Sequence, residues 1–290
     1  MNKEINNLIK SFDELNYILS EELATSLYLV DKLEKPLIIE GNPGVGKTEL
    51  AKVLANHLKT DLLRLQCYEG LDVNTSIYEW NYQKQLLHIK LFEEDKNKEE
   101  IGRKIFGMDY ILKRPLLKSI SSKNPVVLLI DEIDRADEEF EAFLLELLSD
   151  FQITIPELGT IRSKSKPLVI LTSNRTRELS DALRRRCLYN WIDFPSKEVE
   201  IDIIHKKLPN IDEKIASQVV IFINNLRKSS LQKPPGIAES IDWAKTLLLL
   251  NSKNITDEIV QNTIGSVLKH QEDIEFVLNK TVQEFLIPIE

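Results

Sequence analysis

A chain of 290 residues is long enough for one α/β domain plus a smaller second one, and its composition, 42% hydrophobic and 29% charged, is that of a soluble globular protein. The net charge of −8 argues against a general nucleic-acid coat, although local basic patches stay open. The first residues contain no apolar stretch of a signal peptide, and the purest apolar runs, Val126–Ile130 and Leu247–Leu250, are too short to span a bilayer; a cytoplasmic protein without a membrane partner is expected.

In chain order, the first strong element is Pro36–Glu40, a short apolar run read as a buried strand. It leads into Gly41-Asn42-Pro43-Gly44-Val45-Gly46-Lys47-Thr48, a complete G-x-x-x-x-G-K-[ST] phosphate loop. The helix that follows, opening at Glu49 and running to Leu58, carries apolar residues at helical spacing. Strand, glycine loop and helix together are the context this motif requires. Its glycines let successive backbone N–H groups turn toward phosphate oxygens, and the helix N-terminus adds partial positive charge. Lys47 is expected at the β- and γ-phosphates, and the Thr48 hydroxyl at Mg²⁺.

A second strand is expected at Leu62–Gln66. The dense charge run Glu93–Glu100 reads as a solvated tip, across which Leu86–Leu91 and Ile105–Phe106 would pair. The third strand, Val126–Ile130, ends in Asp131-Glu132. Asp131 is positioned to hold the Mg²⁺ shell, and Glu132 to orient and deprotonate an attacking water. Asp137–Ser149 is an amphipathic helix with Phe140, Phe143, Leu144, Leu147 and Leu148 on one face and Glu138, Glu139, Glu141 and Glu146 off it. In Phe151–Ile161, Ile153 and Ile155 alternate with polar residues before Pro156–Gly159, which predicts a small hairpin.

The fourth strand, Leu168–Thr172, is tipped by Asn174, a candidate contact for the γ-phosphate or its water. Between Arg175 and Arg186 stand five arginines and no lysine. The planar guanidinium suits phosphate, and one of these is a candidate arginine finger, while Arg184 and Arg185 read as a solvated basic face. After Ser196 the pattern turns helical: Lys197–Leu208, Asp212–Lys228, Ile237–Leu250 and Thr256–His270. No Asn-Lys-x-Asp motif reads a guanine base; Asn279-Lys280 is followed by Thr281-Val282. Cys67 and Cys187 form no C-x-x-C pair, which fits a reducing cytosol. The four histidines show no metal-ligand spacing, so Mg²⁺ travelling with the nucleotide is the only metal expected.

These motifs, in this order, resemble an AAA+ ATPase: a P-loop NTPase parallel sheet flanked by helices, with inserted hairpins and a C-terminal all-α lid. The hairpin before the Asn-tipped strand and the insert at about 80–106 resemble the MoxR family. Arg64-Leu-Gln-Cys-Tyr-Glu-Gly-Leu-Asp72, the stretch Asp131–Phe143, Thr154-Ile-Pro-Glu-Leu-Gly-Thr160 and Thr172–Leu179 are similar to its carbon monoxide dehydrogenase maturation (CoxD-like) subgroup. The likeness spans about 14–200 strongly and the lid weakly. It implies a core at 1–195, with a hairpin at about 151–163, and a lid at 196–290. It further implies Lys47 and Thr48 as Walker A, Asp131 and Glu132 as Walker B, and Asn174 as sensor 1. Arg186 is implied as the finger acting on a neighbouring subunit, hence a ring of like chains, usually a hexamer. Tyr17–Ala24 matches a stretch used beside the adenine, with an ordinary helix an equal reading.

One departure stands out. Many relatives carry a sensor-2 arginine where this chain reads Pro234-Pro235-Gly236-Ile237-Ala238-Glu239-Ser240. The resemblance implies a chaperone-like ATPase that matures a metalloenzyme client such as a molybdenum hydroxylase, with a partner bearing a von Willebrand factor A domain. A nucleic-acid motor or loader, and a nucleotide-gated scaffold with little turnover, remain as other readings.

Overall fold

A computed structural model describes residues 2–91, 105–156 and 158–287. These fall into two compact units, each with its own core. One, the sheet unit, comprises Glu21–Glu40 and Ala51–Trp191; the other, the helical unit, comprises Met1–Ser20, Gly41–Leu50 and Ile192–Glu290.

The sheet unit is built on five strands: β1 (Leu37–Gly41), β2 (Leu62–Gln66), β5 (Val127–Asp131), β8 (Leu168–Ser173) and β9 (Leu188–Ile192). Their order is β2-β5-β8-β1-β9, and β2 pairs β5, β5 pairs β8, and β8 pairs β1 in parallel. Every residue of β1 and β5 is buried, as a parallel sheet covered on both faces requires. Because β1, β5 and β8 run the same way, Glu40, Asp131 and Ser173 all lie toward the C-terminal edge of the sheet. The core continues through the Glu138–Asp150 helix, whose Phe140, Leu144 and Leu147 are fully buried. Asp137 caps that helix by accepting from the Phe140 N–H at 2.8 Å.

Two small antiparallel pairs stand apart from this sheet. β6 (Gln152–Ile155) and β7 (Gly159–Arg162) form the expected hairpin, with Ile153 opposite Ile161; Glu157 of its turn lies outside the described residues. β3 (Tyr78–Trp80) pairs with β4 (Ile111–Lys113). This differs from the expected pairing of 86–91 with 105–106. Tyr82–Leu91 is a helix, and the sheet contact falls on its flanks. The charge run at 93–100 lies outside the described residues.

The helical unit contains Lys3–Glu14, the start of Lys47–Leu58, Lys197–Lys207, Glu213–Arg227, Ile237–Leu249, Asp257–Thr263, Gln271–Leu278 and Val282–Leu286. Its core centres on Phe222, whose ring stands 4.8 Å from that of Trp243 and 5.2 Å from that of Phe285. The buried Trp243 indole donates to Thr263 Oγ1 at 2.9 Å, so its one polar atom is satisfied. The expected helix at 256–270 stops at Thr263 and tightens into a 3₁₀ turn over Ile264–Ser266. Among the described residues, no helix is long and apolar enough to cross a membrane.

Candidate functional site

The phosphate loop joins the end of β1 to the Lys47–Leu58 helix. Gly44 and Gly46 hold φ of +78° and +93°, values an L side chain resists. A Cβ at Gly46 would meet nothing within 4 Å, so the loop backbone there faces open space. At Gly41 a Cβ would come within 2.2 Å of the Ile192 carbonyl oxygen, which excludes any larger residue. Asn42 is half-buried, Pro43 is exposed and Val45 is buried beneath the loop. Lys47 is buried, and its ammonium donates to the Gly41 and Asn42 carbonyls at 2.7 and 2.9 Å. The cation is thereby held over the loop that its own backbone forms. Thr48 is the second residue of the helix, and Glu49 pairs with Lys207 at 3.4 Å. Burial first, and then the Glu49 charge, push the Tyr17 phenol well above its ordinary range.

In the sheet unit one hydroxyl fixes the Asp131 carboxylate and the Glu132 backbone. Thr172 Oγ1 donates to Asp131 Oδ1 and accepts the Glu132 backbone N–H at 3.0 Å. A hydroxyl has one proton and two lone pairs, so both bonds can be made at once. Asp131 is buried, and its other oxygen accepts from Arg64, through Nε at 2.9 Å and through an Nη. Glu132 takes the left-handed conformation, φ +55° and ψ +50°, which is strained for a residue with a side chain. Its carboxylate pairs with Arg135 at 3.3 Å.

Asn174 follows β8 directly, and its backbone N–H donates to Asp134 Oδ2 at 3.1 Å. Asp134 also accepts from the Thr176 N–H and hydroxyl, both at 2.8 Å, so the turn after β8 is tied to the turn after β5.

The arginine cluster divides. Arg175 and Arg184 lie 3.7 and 3.9 Å from the two oxygens of Glu40, which is buried at the end of β1 and also accepts from the Tyr189 hydroxyl at 3.0 Å. Arg184 therefore faces a buried carboxylate rather than forming a wholly solvated basic face. Arg177 donates to the Ala136 carbonyl at 2.9 Å and pairs with Glu141. Glu141 is buried on the core side of the Glu138–Asp150 helix, contrary to its expected outward position, because this ion pair and the Ser180 N–H at 2.9 Å compensate its burial. Arg186 is exposed and donates to Ser149 Oγ at 2.7 Å and the Ala182 carbonyl at 2.9 Å.

Sequence reasoning missed two members of this arrangement, Thr172 and Arg64. A threonine closing an otherwise apolar strand was the available signal for the first. Arg64 occupies the exposed middle position of β2, where an arginine needs no explanation until the partner strand is known.

Each unit carries a hard oxygen of the kind Mg²⁺ takes, the Thr48 hydroxyl in the helical unit and the Asp131 carboxylate in the sheet unit. The open backbone at Gly46 and the buried Lys47 fit the phosphates. Among the described residues, no group of three or more His, Cys, Asp or Glu side chains is placed to hold another metal ion.

Comparison with known proteins agrees with this geometry. Over 258 residues, 86% of this chain and 90% of the relative, the sequence is 26% identical to an uncharacterized protein of Staphylococcus epidermidis strain ATCC 12228. A second uncharacterized protein, from Staphylococcus haemolyticus, is 26% identical over 207 residues, 69% of this chain and 71% of the relative. Among solved structures, the RuvB Holliday junction branch migration motor of Thermotoga maritima aligns with 91% of this chain and 72% of its own, with a TM-score of 0.50 and 18% identity, a likeness of fold. Residues 37–195 match the family model described as "ATPase family associated with various cellular activities (AAA)", and the chain belongs to that family.

Proposed function

We propose that this AAA+ ATPase is of the MoxR type and couples Mg-ATP hydrolysis to remodelling or maturation of a metalloenzyme client, a molybdenum hydroxylase such as carbon monoxide dehydrogenase being the best-fitting class. The observation that carries the hydrolytic part is the single Thr172 hydroxyl that fixes both Asp131 and Glu132. A merely packed strand end has no use for a strained glutamate beside a buried aspartate.

In this reading the loop 41–48 and Glu49 surround the nucleotide. Lys47 would neutralise the phosphates, and Thr48 and Asp131 would hold Mg²⁺, which would supply further charge neutralisation. Glu132 takes the proton of the attacking water, Asn174 orients that water, and Arg186 serves the nucleotide of the next subunit in a ring, a hexamer by resemblance. The exposed position of Arg186 supports that last role. Residues 1–195 would act as the ATPase core and 196–290 as the lid. The β6–β7 hairpin directly before β8 supports the MoxR assignment. Two free thiols support a reducing, cytoplasmic setting.

The test is to lock the Glu132→Gln protein with ATP in lysate of its own cells and identify what it holds. The reading expects a metalloenzyme subunit or a von Willebrand factor A domain protein. Nucleic acid with replication proteins would overturn the client assignment and favour a motor.

A further inference from the structure

The helical unit contains a contact that the ATPase reading leaves without a role. The turn before the Ile237–Leu249 helix lies directly on the phosphate loop. The Ile237 N–H donates to the Gly44 carbonyl at 3.0 Å. A Cβ placed on Gly236 would come 2.8 Å from Gly44 Cα and 3.0 Å from the Pro43 carbonyl oxygen, and one placed on Gly44 would come 2.9 Å from Gly236 Cα. Two backbones approach more closely than side chains permit. Gly236 has φ −86° and ψ −173°, which any residue can adopt. Its glycine is required by the approach, not by the dihedral.

The turn is held from behind by a buried ionic set. Arg227 donates through Nε to the Pro235 carbonyl at 2.8 Å, and through its two Nη atoms to Glu200 at 2.6 and 2.8 Å. Glu200 is fully buried and also accepts from Ser240 Oγ at 2.6 Å. The Arg227 guanidinium lies over the Phe194 ring at 4.2 Å. A buried arginine held bidentately by Glu200 and aiming its Nε–H at one carbonyl fixes that carbonyl's position. In front, Glu239 accepts the Gly236 N–H at 2.9 Å and fixes the other end of the turn.

We propose that Gly236 and Ile237 form a main-chain latch that sets the shape of the phosphate loop, with Arg227 and Glu200 as positioning residues behind it. Shape matters here because the loop binds through backbone N–H groups, whose directions are set by the conformation of Pro43–Gly46. The proposal rests on the nucleotide-binding reading for its consequence, but the latch itself is a property of the free protein.

Two variants test it in the full chain. Gly236→Ala inserts the overlapping methyl. Ile237→Pro removes the one donor, at the first helical position, where proline is tolerated after an extended residue. Hydrogen exchange of peptides covering 41–48 is measured without nucleotide, alongside peptides from 213–227 as a check that the helices persist. Binding of a fluorescent methylanthraniloyl-ADP is then titrated. The latch predicts faster exchange across 41–48, unchanged protection at 213–227, and nucleotide bound about fivefold to tenfold more weakly, the scale of one lost hydrogen bond. Arg227→Lys, which keeps the charge and loses the fork, should fall between these variants and the parent.

Loop exchange equal to the parent in both variants would overturn the latch, whatever happens to binding. Faster exchange with undiminished ADP affinity would overturn its link to binding. If the parent protein fails to bind ADP, the nucleotide reading falls and the consequence with it, while exchange still decides whether the latch exists.

Discussion

At the scale of single residues, the account rests on Lys47, Asp131, Glu132 and the hydroxyl between the last two. Lys47→Ala removes the cation that the loop folds around, and nucleotide binding should be lost in a direct titration. Thr172→Val is a sharper probe. It keeps the shape but leaves a buried carboxylate oxygen and the Glu132 N–H without their partner, which should cost about 1–3 kcal/mol in chemical denaturation. Cys67 makes a pH-dependent prediction. Burial, followed by the charge of Asp131, pushes its thiol from an ordinary 9.0 up to about 12. Its contribution to stability is fully present below pH 9 and is lost as the pH rises toward 12. Iodoacetamide at pH 8 should therefore leave Cys67 of the folded protein unmodified and label it only on unfolding. The glycine loop and the Asp131-Glu132 pair stand out in the sequence because their spacing alone marks them. Arg64 and Glu40 do not, since each gains its meaning from a partner that only strand order supplies.

At the scale of elements, periodicity located the parallel strands and the main helices but not the short additions. β9 was missed because Leu188-Tyr189-Asn190-Trp191-Ile192 mixes a polar residue and exposed aromatics into a short strand. The Tyr82–Leu91 helix leaves Leu86, Leu87 and Leu91 exposed, so it lacks the one-sided burial that marks a helix in sequence. Glu141 shows the opposite failure, an acidic residue on the core face whose compensating Arg177 lies 36 positions away in the chain. Two expected outcomes belong here. Asp137→Ala should lower stability by about 1 kcal/mol through loss of the cap on the Glu138–Asp150 helix. Phe222→Ala empties the centre of the helical core and should cost about 3–5 kcal/mol in a denaturant titration.

At the scale of the whole molecule, the fold class was legible because strand, loop and helix recur in an order that few architectures share. The grouping of the phosphate loop with residues 192–290 was not legible, because it depends on backbone contacts such as Ile237 to Gly44 that leave no side-chain pattern. If Arg186 serves a neighbouring subunit, then mixing Arg186→Ala with Lys47→Ala chains should restore part of the lost ATPase rate, and the absence of rescue at every ratio would confine each site to one chain. The most direct test of the central claim is Mg²⁺-dependent ATP turnover by the parent and the Glu132→Gln protein, with ATP affinity measured in parallel. The account predicts that ATP affinity is kept while kcat falls at least about 100-fold, the scale of losing a general base. Turnover by Glu132→Gln at the parent rate would contradict it.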